Sequence, residues 1–400
     1  MKALLGLITS AATAAPFACA MPSDIAEAPP VKDFSLALLQ EVAAKSGGNV
    51  CLSPWCAGAA LSLVQPGAAG TTRARMDAVL GDTARWKIAL QKADLAITTA
   101  ERVYIDKSLT LNPAYRRSIP EGSVTNVDFR TEPEKARHAV NDWAAASTQG
   151  LVRNLLGPGT VDADTRLAAV NAVLFRGTWA RPFSPRSTQA APFRLSSGQT
   201  VPVPMMRQTN DFRYAHVGDC VAVALPYRKE GEQGRTFRAP EGNVFFIVLM
   251  PEKQTSIRRW LNKLTPERLA TVRSQLGQPN AEKQVSLTLP RFSLEPPTAD
   301  LSDALCRLGM QVAFGNKAEF SGIAISGEPL YLSGVYQKCL VRVHENGTEA
   351  AATTAVIVTK RAMPRIEAEF TADRPFVWMI ATLDPGDPAF FAGVMERPAS

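Results

Sequence analysis

Histidine is nearly missing: His138, His216 and His344 are all that 400 residues supply. Chemistry that relays protons through imidazole therefore has few places to work. His138 falls in EPEKARHAVNDWAAAST, an amphipathic helical pattern that puts it at the surface. The chain also lacks a G-x-S-x-G elbow, an H-E-x-x-H helix, a Walker loop and a G-x-G-x-x-G turn, so no nucleophile comes with an assigned base. This is not the sequence of an enzyme.

After the leader there is no run of 18 apolar residues, which excludes a spanning helix and predicts a soluble mature protein with no membrane partner. Basic residues exceed acidic ones by seven, but they are dispersed and not interleaved with aromatics, so a nucleic-acid surface is not expected. Cysteine is sparse too. Beyond Cys19 the chain has Cys51, Cys56, Cys220, Cys306 and Cys339, an odd number in spacings that fit no zinc site. Most lie in apolar runs and read as buried free thiols.

Lys2, an apolar stretch from Ala3 to Ala15 and the triplet Ala18-Cys19-Ala20 read as a secretory signal peptide over residues 1–20. Lipidation at Cys19 is disfavoured by the preceding Pro16 and Phe17. The protein is therefore expected outside the cytoplasm, in a periplasm or extracellular space. Residues 21–400 show no repeat and no long linker, which implies one large domain. Helical patterns come early, at 34–45, at 53–65 with Ser53 as cap and Pro54 in the first turn, at 71–80 closed by Gly81, and at 132–148. Strand patterns come later, at 167–175, 221–225, 243–250, 284–290, 330–345, 375–383 and 390–395. The polar stretch 228–243 between two of them reads as a loop tip. The fold class is mixed α+β with largely antiparallel sheets.

Residues 344–364, HENGTEAAATTAVIVTKRAMP, fit neither element well. Gly347 and a series of β-branched residues make a poor helix. As a strand, Thr348, Ala350, Ala352, Thr354, Val356 and Val358 share one uncharged face while Glu349 takes the other. Such a segment can enter a sheet without burying a charge, but lacks the bulk to hold itself there.

Six stretches, in order, resemble the serpin family over nearly all of the mature chain: NVCLSPWCAGAALSLVQPGAAGTTRARM, VNDWAAASTQGLVRNLL, VNAVLFRGTWARPF, LPRFSLEPPTADLSDALCRLGMQVAF with AEFSGI, HENGTEAAATT, and FTADRPFVWMI with FFAGVMERP. The resemblance implies helices around three largely antiparallel sheets and an exposed reactive-centre loop at about 346–364. It implies a suicide inhibitor of proteases: the loop is cut, its amino-terminal half inserts as a new strand in the main sheet, and the attached protease is dragged along and deformed. The hinge pattern is matched by Glu345, Gly347, Thr348, Glu349, Ala350, Ala351 and Ala352, followed by Thr353 and Thr354. Fourteen residues beyond Gly347, and fourteen before Pro375, stands Arg361, so the implied reactive bond is Arg361–Ala362. Lys360 is the alternative bait. An Arg there suits the aspartate of a trypsin-like pocket, making the implied partner a trypsin-like serine protease engaged by a monomer without cofactor. Two other readings are a non-inhibitory binding or storage protein and a cross-class inhibitor of papain-like cysteine proteases.

The resemblance further implies a polar cluster controlling the opening of the main sheet, here Ser53, Cys56, Asn171 and Gln337, and a tryptophan where the loop enters, Trp179. Cys56 replaces a usual serine and Gln337 a usual histidine, which removes titration near neutral pH from the cluster while keeping hydrogen bonding. Cys339 replaces a usual alanine, so that a Cys56–Cys339 disulfide is conceivable. The helix RWKIALQKA at 85–93 has too few cations for a polyanion site and reads as a solvated face.

Overall fold

The computed structural model describes residues 29–93, 97–229, 241–253, 255–325, 329–348 and 365–398. Helix α1 (Phe34–Lys45) starts at Asp33, whose carboxylate accepts from the Leu36 amide. Helix α2 (Pro54–Val64) starts at Ser53, whose hydroxyl accepts from the Cys56 amide, with Pro54 in the first turn. Helix α3 (Gly70–Leu80) stops at Gly81, whose φ of +64° is the left-handed conformation that glycine supplies freely. These elements and α4 (Pro133–Ser147) fall where the sequence patterns predict them.

The described residues form a nine-stranded, an eight-stranded and a two-stranded sheet. Strand β1 (Val50–Leu52) lies at one edge of the nine-stranded sheet. The eight-stranded sheet contains β2 (Ile97–Asp106), β3 (Val124–Val127), β4 (Leu167–Phe175), β5 (Gly177–Thr178), β6 (Phe292–Leu294), β7 (Ala299–Asp300), β8 (Gly334–His344) and β9 (Gly347–Thr348). Its order is β3-β2-β4-β8-β9-β5, with β6 and β7 on the far side of β8. All nine residues of β4 are buried because both faces of the sheet are covered, which is why that strand reads as one continuous apolar run. Tyr104, Val170, Ala172 and Tyr336 face α4, whereas Val103, Val173, Val335 and Val341 face the main core.

Several elements depart from the expected pattern. β2 carries Glu101 and Arg102 at its centre and lies in the supposedly helical third; it survives as a strand because Arg102 covers the Trp143 ring of α4 at 4.9 Å while Glu101 turns to the other face. The strand Thr200–Val217 is masked by Pro202 and Pro204 and by a run of polar residues on its exposed positions. Two helices, Ile257–Lys263 and Pro266–Leu276, interrupt the supposedly strand-rich part. The strand expected over 330–345 begins only at Gly334. The strands flanking the expected loop tip pair as an antiparallel hairpin, Glu241 opposite Arg228.

Candidate functional site

The seam between β4 and β8 differs from its surroundings. These two strands pair in parallel, from Ala168 opposite Gly334 to Leu174 opposite Leu340, although β2 runs antiparallel to β4, and β6 and β7 run antiparallel to β8. A strand placed in this seam against the direction of both would make two antiparallel ladders where one parallel ladder stands. Parallel pairing is the slightly weaker of the two per residue.

At the end of β8 the chain turns through Glu345 and Asn346 and starts back as β9. Thr348 lies opposite Val343 and Gly347 opposite His344, while the other edge of β9 pairs with β5. The first hinge residues thus already sit between β8 and β5, in line with the seam. The sequence expectation is corrected in one respect: Thr348 is not waiting to enter the sheet but is seated in it. Only glycine fits beside it. Gly347 has φ +153°, and a Cβ there would come within 2.0 Å of the Gly177 carbonyl oxygen. The Thr348 hydroxyl is fully buried and shares a 2.7 Å hydrogen bond with the Tyr227 hydroxyl. Trp179 stacks on Tyr227 with ring centroids 4.6 Å apart and donates from its indole to the His344 carbonyl, and its backbone amide donates to the Asn346 carbonyl. The Glu345 carboxylate accepts from Thr188 at 2.8 Å and lies 3.7 Å from Arg291.

Of the residues singled out in the sequence, Glu345, Gly347, Thr348 and Trp179 therefore come together, joined by Tyr227, Thr188 and Arg291, which sequence reasoning missed. Tyr227 ends the VAVALPY run, and nothing in that run separates a hinge contact from a core aromatic. Tyr227→Phe keeps the stack on Trp179 but leaves the buried Thr348 hydroxyl without this partner. The expected cost is about 1–3 kcal/mol, read as a lower midpoint of urea unfolding; an unchanged midpoint contradicts the contact. Glu349, Ala350, Ala351, Ala352, Thr353, Thr354, Lys360, Arg361 and Ala362 lie outside the described residues.

Beneath the middle of the seam, Ser53, Asn171 and Gln337 meet, all buried. The Gln337 amide nitrogen donates to the Ser53 carbonyl at 2.9 Å and to Asn171 Oδ1 at 2.6 Å, and its Oε1 accepts from the Ser53 amide at 2.7 Å. Ser53 Oγ donates to the Phe390 carbonyl. Gln337 thus fills the expected place by donating and accepting at once. Cys56 is buried beside the cluster, and its thiol lies near Glu101 of β2.

Glu101 changes the electrostatics of the cluster. It is paired with Asn171, which is paired with Gln337, so that the three form one row across β2, β4 and β8. Burial pushes its carboxyl from 4.5 up to about 6. Gln337 itself cannot titrate, and the titratable group of the row is a carboxyl two strands away. The Cys56–Cys339 disulfide, conceivable from the sequence, is not formed. Both are buried free thiols, and burial, with Cys51 and Cys56 close by, pushes the Cys339 thiol well up.

A family model described as Serpin (serine protease inhibitor) matches residues 30–397. The Serpin B6 of Macaca fascicularis is 34% identical over 365 residues, covering 87% of this chain and 93% of that one. The leukocyte elastase inhibitor of Bos taurus is 33% identical over 372 residues, covering 88% and 93%. Among solved structures, uncleaved ovalbumin aligns with a TM-score of 0.78 at 25% identity over 92% of this chain and 98% of that one. Serpin48 of Tenebrio molitor aligns with a TM-score of 0.75 at 26% identity, covering 92% and 96%. With a parallel seam, a hinge seated at its head and a family match along almost its whole described length, this chain belongs to the serpin family.

Proposed function

We propose that the protein is a suicide inhibitor of trypsin-like serine proteases, cut at Arg361–Ala362 and sprung by insertion of its loop into the β4–β8 seam. The observation that carries this reading is the hinge at the head of a parallel seam. Continuing the register of Thr348 opposite Val343 down β8 sets Ala350 opposite Val341, Ala352 opposite Cys339 and Thr354 opposite Gln337. The uncharged face of the loop would then meet the buried face of the sheet, and Thr354 would bring a hydroxyl to the polar row. Nothing charged is buried on that side, so the desolvation that would stall insertion is avoided.

Cleavage leaves the Arg361 carbonyl esterified to the protease serine. Two outcomes then compete. If insertion is faster than hydrolysis of the ester, the protease is carried away from its working geometry and trapped; if it is slower, the protein is a substrate. The arginine side chain supports a pocket with an aspartate at its base. The elastase for which one relative is named offers a small pocket, into which a guanidinium does not fit. The leader-like residues 1–20 support export, which would put inhibitor and target together outside the cytoplasm. The test is incubation with trypsin followed by a denaturing gel. The expected product is a band near the sum of the two masses; complete cleavage without that band contradicts trapping.

A further inference from the structure

We propose that Glu101 is a positioning residue for opening of the sheet: a carboxylate held one strand from the closed seam with no cation beside it among the described residues, which weakens the seam at neutral pH and lets it tighten in acid. The idea rests on the reading of the β4–β8 seam as the place that accepts the loop, and it adds a group outside the loop that sets how readily the seam parts.

Geometry places Glu101 in the row that must be disturbed. It lies opposite Asn171 of β4, and Asn171 is tied across the seam to Gln337 of β8. Glu101 as a whole keeps some exposure, but its Oε1 is wholly buried and has no hydrogen-bond partner. Asn171 does not relieve it, because its Oδ1 is taken by Gln337 and its Nδ2 reaches no acceptor. The Cys56 thiol and the Thr99 hydroxyl lie near the Glu101 carboxyl and oppose the upward push of burial without cancelling it.

Among the described residues, the surrounding elements supply no compensating charge. Helix α2, packed on this face, contains no Lys, Arg, Asp or Glu, and the amide of Cys56 in its first turn is already engaged by the Ser53 hydroxyl. Strands β3 and β4 contain no charged residue. On β8, Lys338 turns to the other face and donates to the Arg153 carbonyl. On β2 itself, Arg102 also faces away, over Trp143. The titratable groups of α4, which include Glu134, Lys135, Arg137, His138 and Asp142, lie across the sheet on that opposite side. Among the described residues, the titratable neighbours on the face of Glu101 are thiols. Those of Cys56 and Cys339 are pushed well up by burial and stay neutral.

The direction of the effect follows from linkage. Burial raises the carboxyl from 4.5 to about 6, so the closed sheet holds the proton more tightly than an opened one whose carboxyl meets water. The closed state is therefore at full strength below pH 4.5, loses ground as pH rises to about 6, and stays weakened above that. The largest change this allows in the balance between closed and open sheet is about thirtyfold. At neutral pH the charge favours opening, which is the state a trap needs when its loop is cut.

The test compares the full chain with Glu101→Gln, and with Glu101→Met as a second variant of similar length, in urea unfolding between pH 4.5 and 7.5. Both variants are expected to unfold at higher urea than wild type at pH 7.5, and the curves are expected to converge near pH 4.5. A gap that stays the same at both pH values, or no gap at all, overturns the proposal, because the charge would then not weaken the closed fold; the role in opening is read from the second measurement. The second measurement is the rate at which a synthetic peptide of residues 348–358 anneals to the uncleaved protein. Glu101→Gln is expected to slow it at pH 7.5 by up to about thirtyfold. If the peptide anneals equally fast to both proteins, the proposal is overturned while the seam reading stands. If it anneals to neither, the seam reading falls, and the unfolding gap alone decides whether Glu101 weakens the closed sheet.

Discussion

Thr348→Arg is expected to turn the protein from an inhibitor into a substrate. Thr348 is fully buried in β9 and bonded to Tyr227, so a guanidinium at this position has no room and no carboxylate to meet. Its desolvation acts twice: it drives the hinge out of its seat in the uncleaved protein, and it opposes the re-entry that must follow cleavage. Burial of an unpaired ion costs several kcal/mol, and even about 2.7 kcal/mol on the insertion barrier slows that step about a hundredfold. Ester hydrolysis is untouched and wins. Glu349→Arg, on the alternate face of the loop, is expected to keep most of its trapping. The check is the fraction of trypsin captured as a gel-stable adduct by each variant; equal capture by wild type and Thr348→Arg contradicts insertion through this hinge.

Arg361→Leu is expected to abolish capture of trypsin and to shift preference toward chymotrypsin-like enzymes. Removing one partner of a desolvated charge pair costs about 2–5 kcal/mol, which is about thirtyfold to several thousandfold in the association step. Lys360→Ala is expected to leave capture of trypsin largely intact. Association rates with trypsin and chymotrypsin separate the two positions, and the opposite pattern moves the reactive bond to Lys360.

How much of this was legible in the sequence depends on what the relevant signal was. Ser53 with Pro54, and Gly81 after α3, announced helix ends through backbone chemistry that is local and so readable. The alternation puts Thr348 first on an uncharged face, and Thr348, the one residue of that face among the described residues, is buried. The depth of the hinge was not legible, because a two-residue pairing with β5 on one side and β8 on the other is a tertiary fact. Glu101 was hidden for a different reason. A charged residue in the middle of ITTAERVYID argues against a buried strand, and the principle that won is the covering of both faces, Arg102 by Trp143 and Glu101 by the row beneath the seam. Sites that break the local rule in this way carry function more often than ordinary core positions do. The thiol contacts of Cys339 were equally out of reach, since Cys51 and Cys56 lie on the same short stretch and only the packing of β1 against β8 decides which of them it meets.

In the proposed mechanism the β4–β8 seam takes the loop as a new strand once the chain is cut. Its most direct test is thermal unfolding of the purified protein before and after cleavage within the loop by a protease that is then removed. Insertion adds antiparallel ladders to both edges of the seam, so the cut protein is predicted to unfold at a markedly higher temperature than the intact one. A cut protein that melts at the same temperature, or lower, would contradict the account.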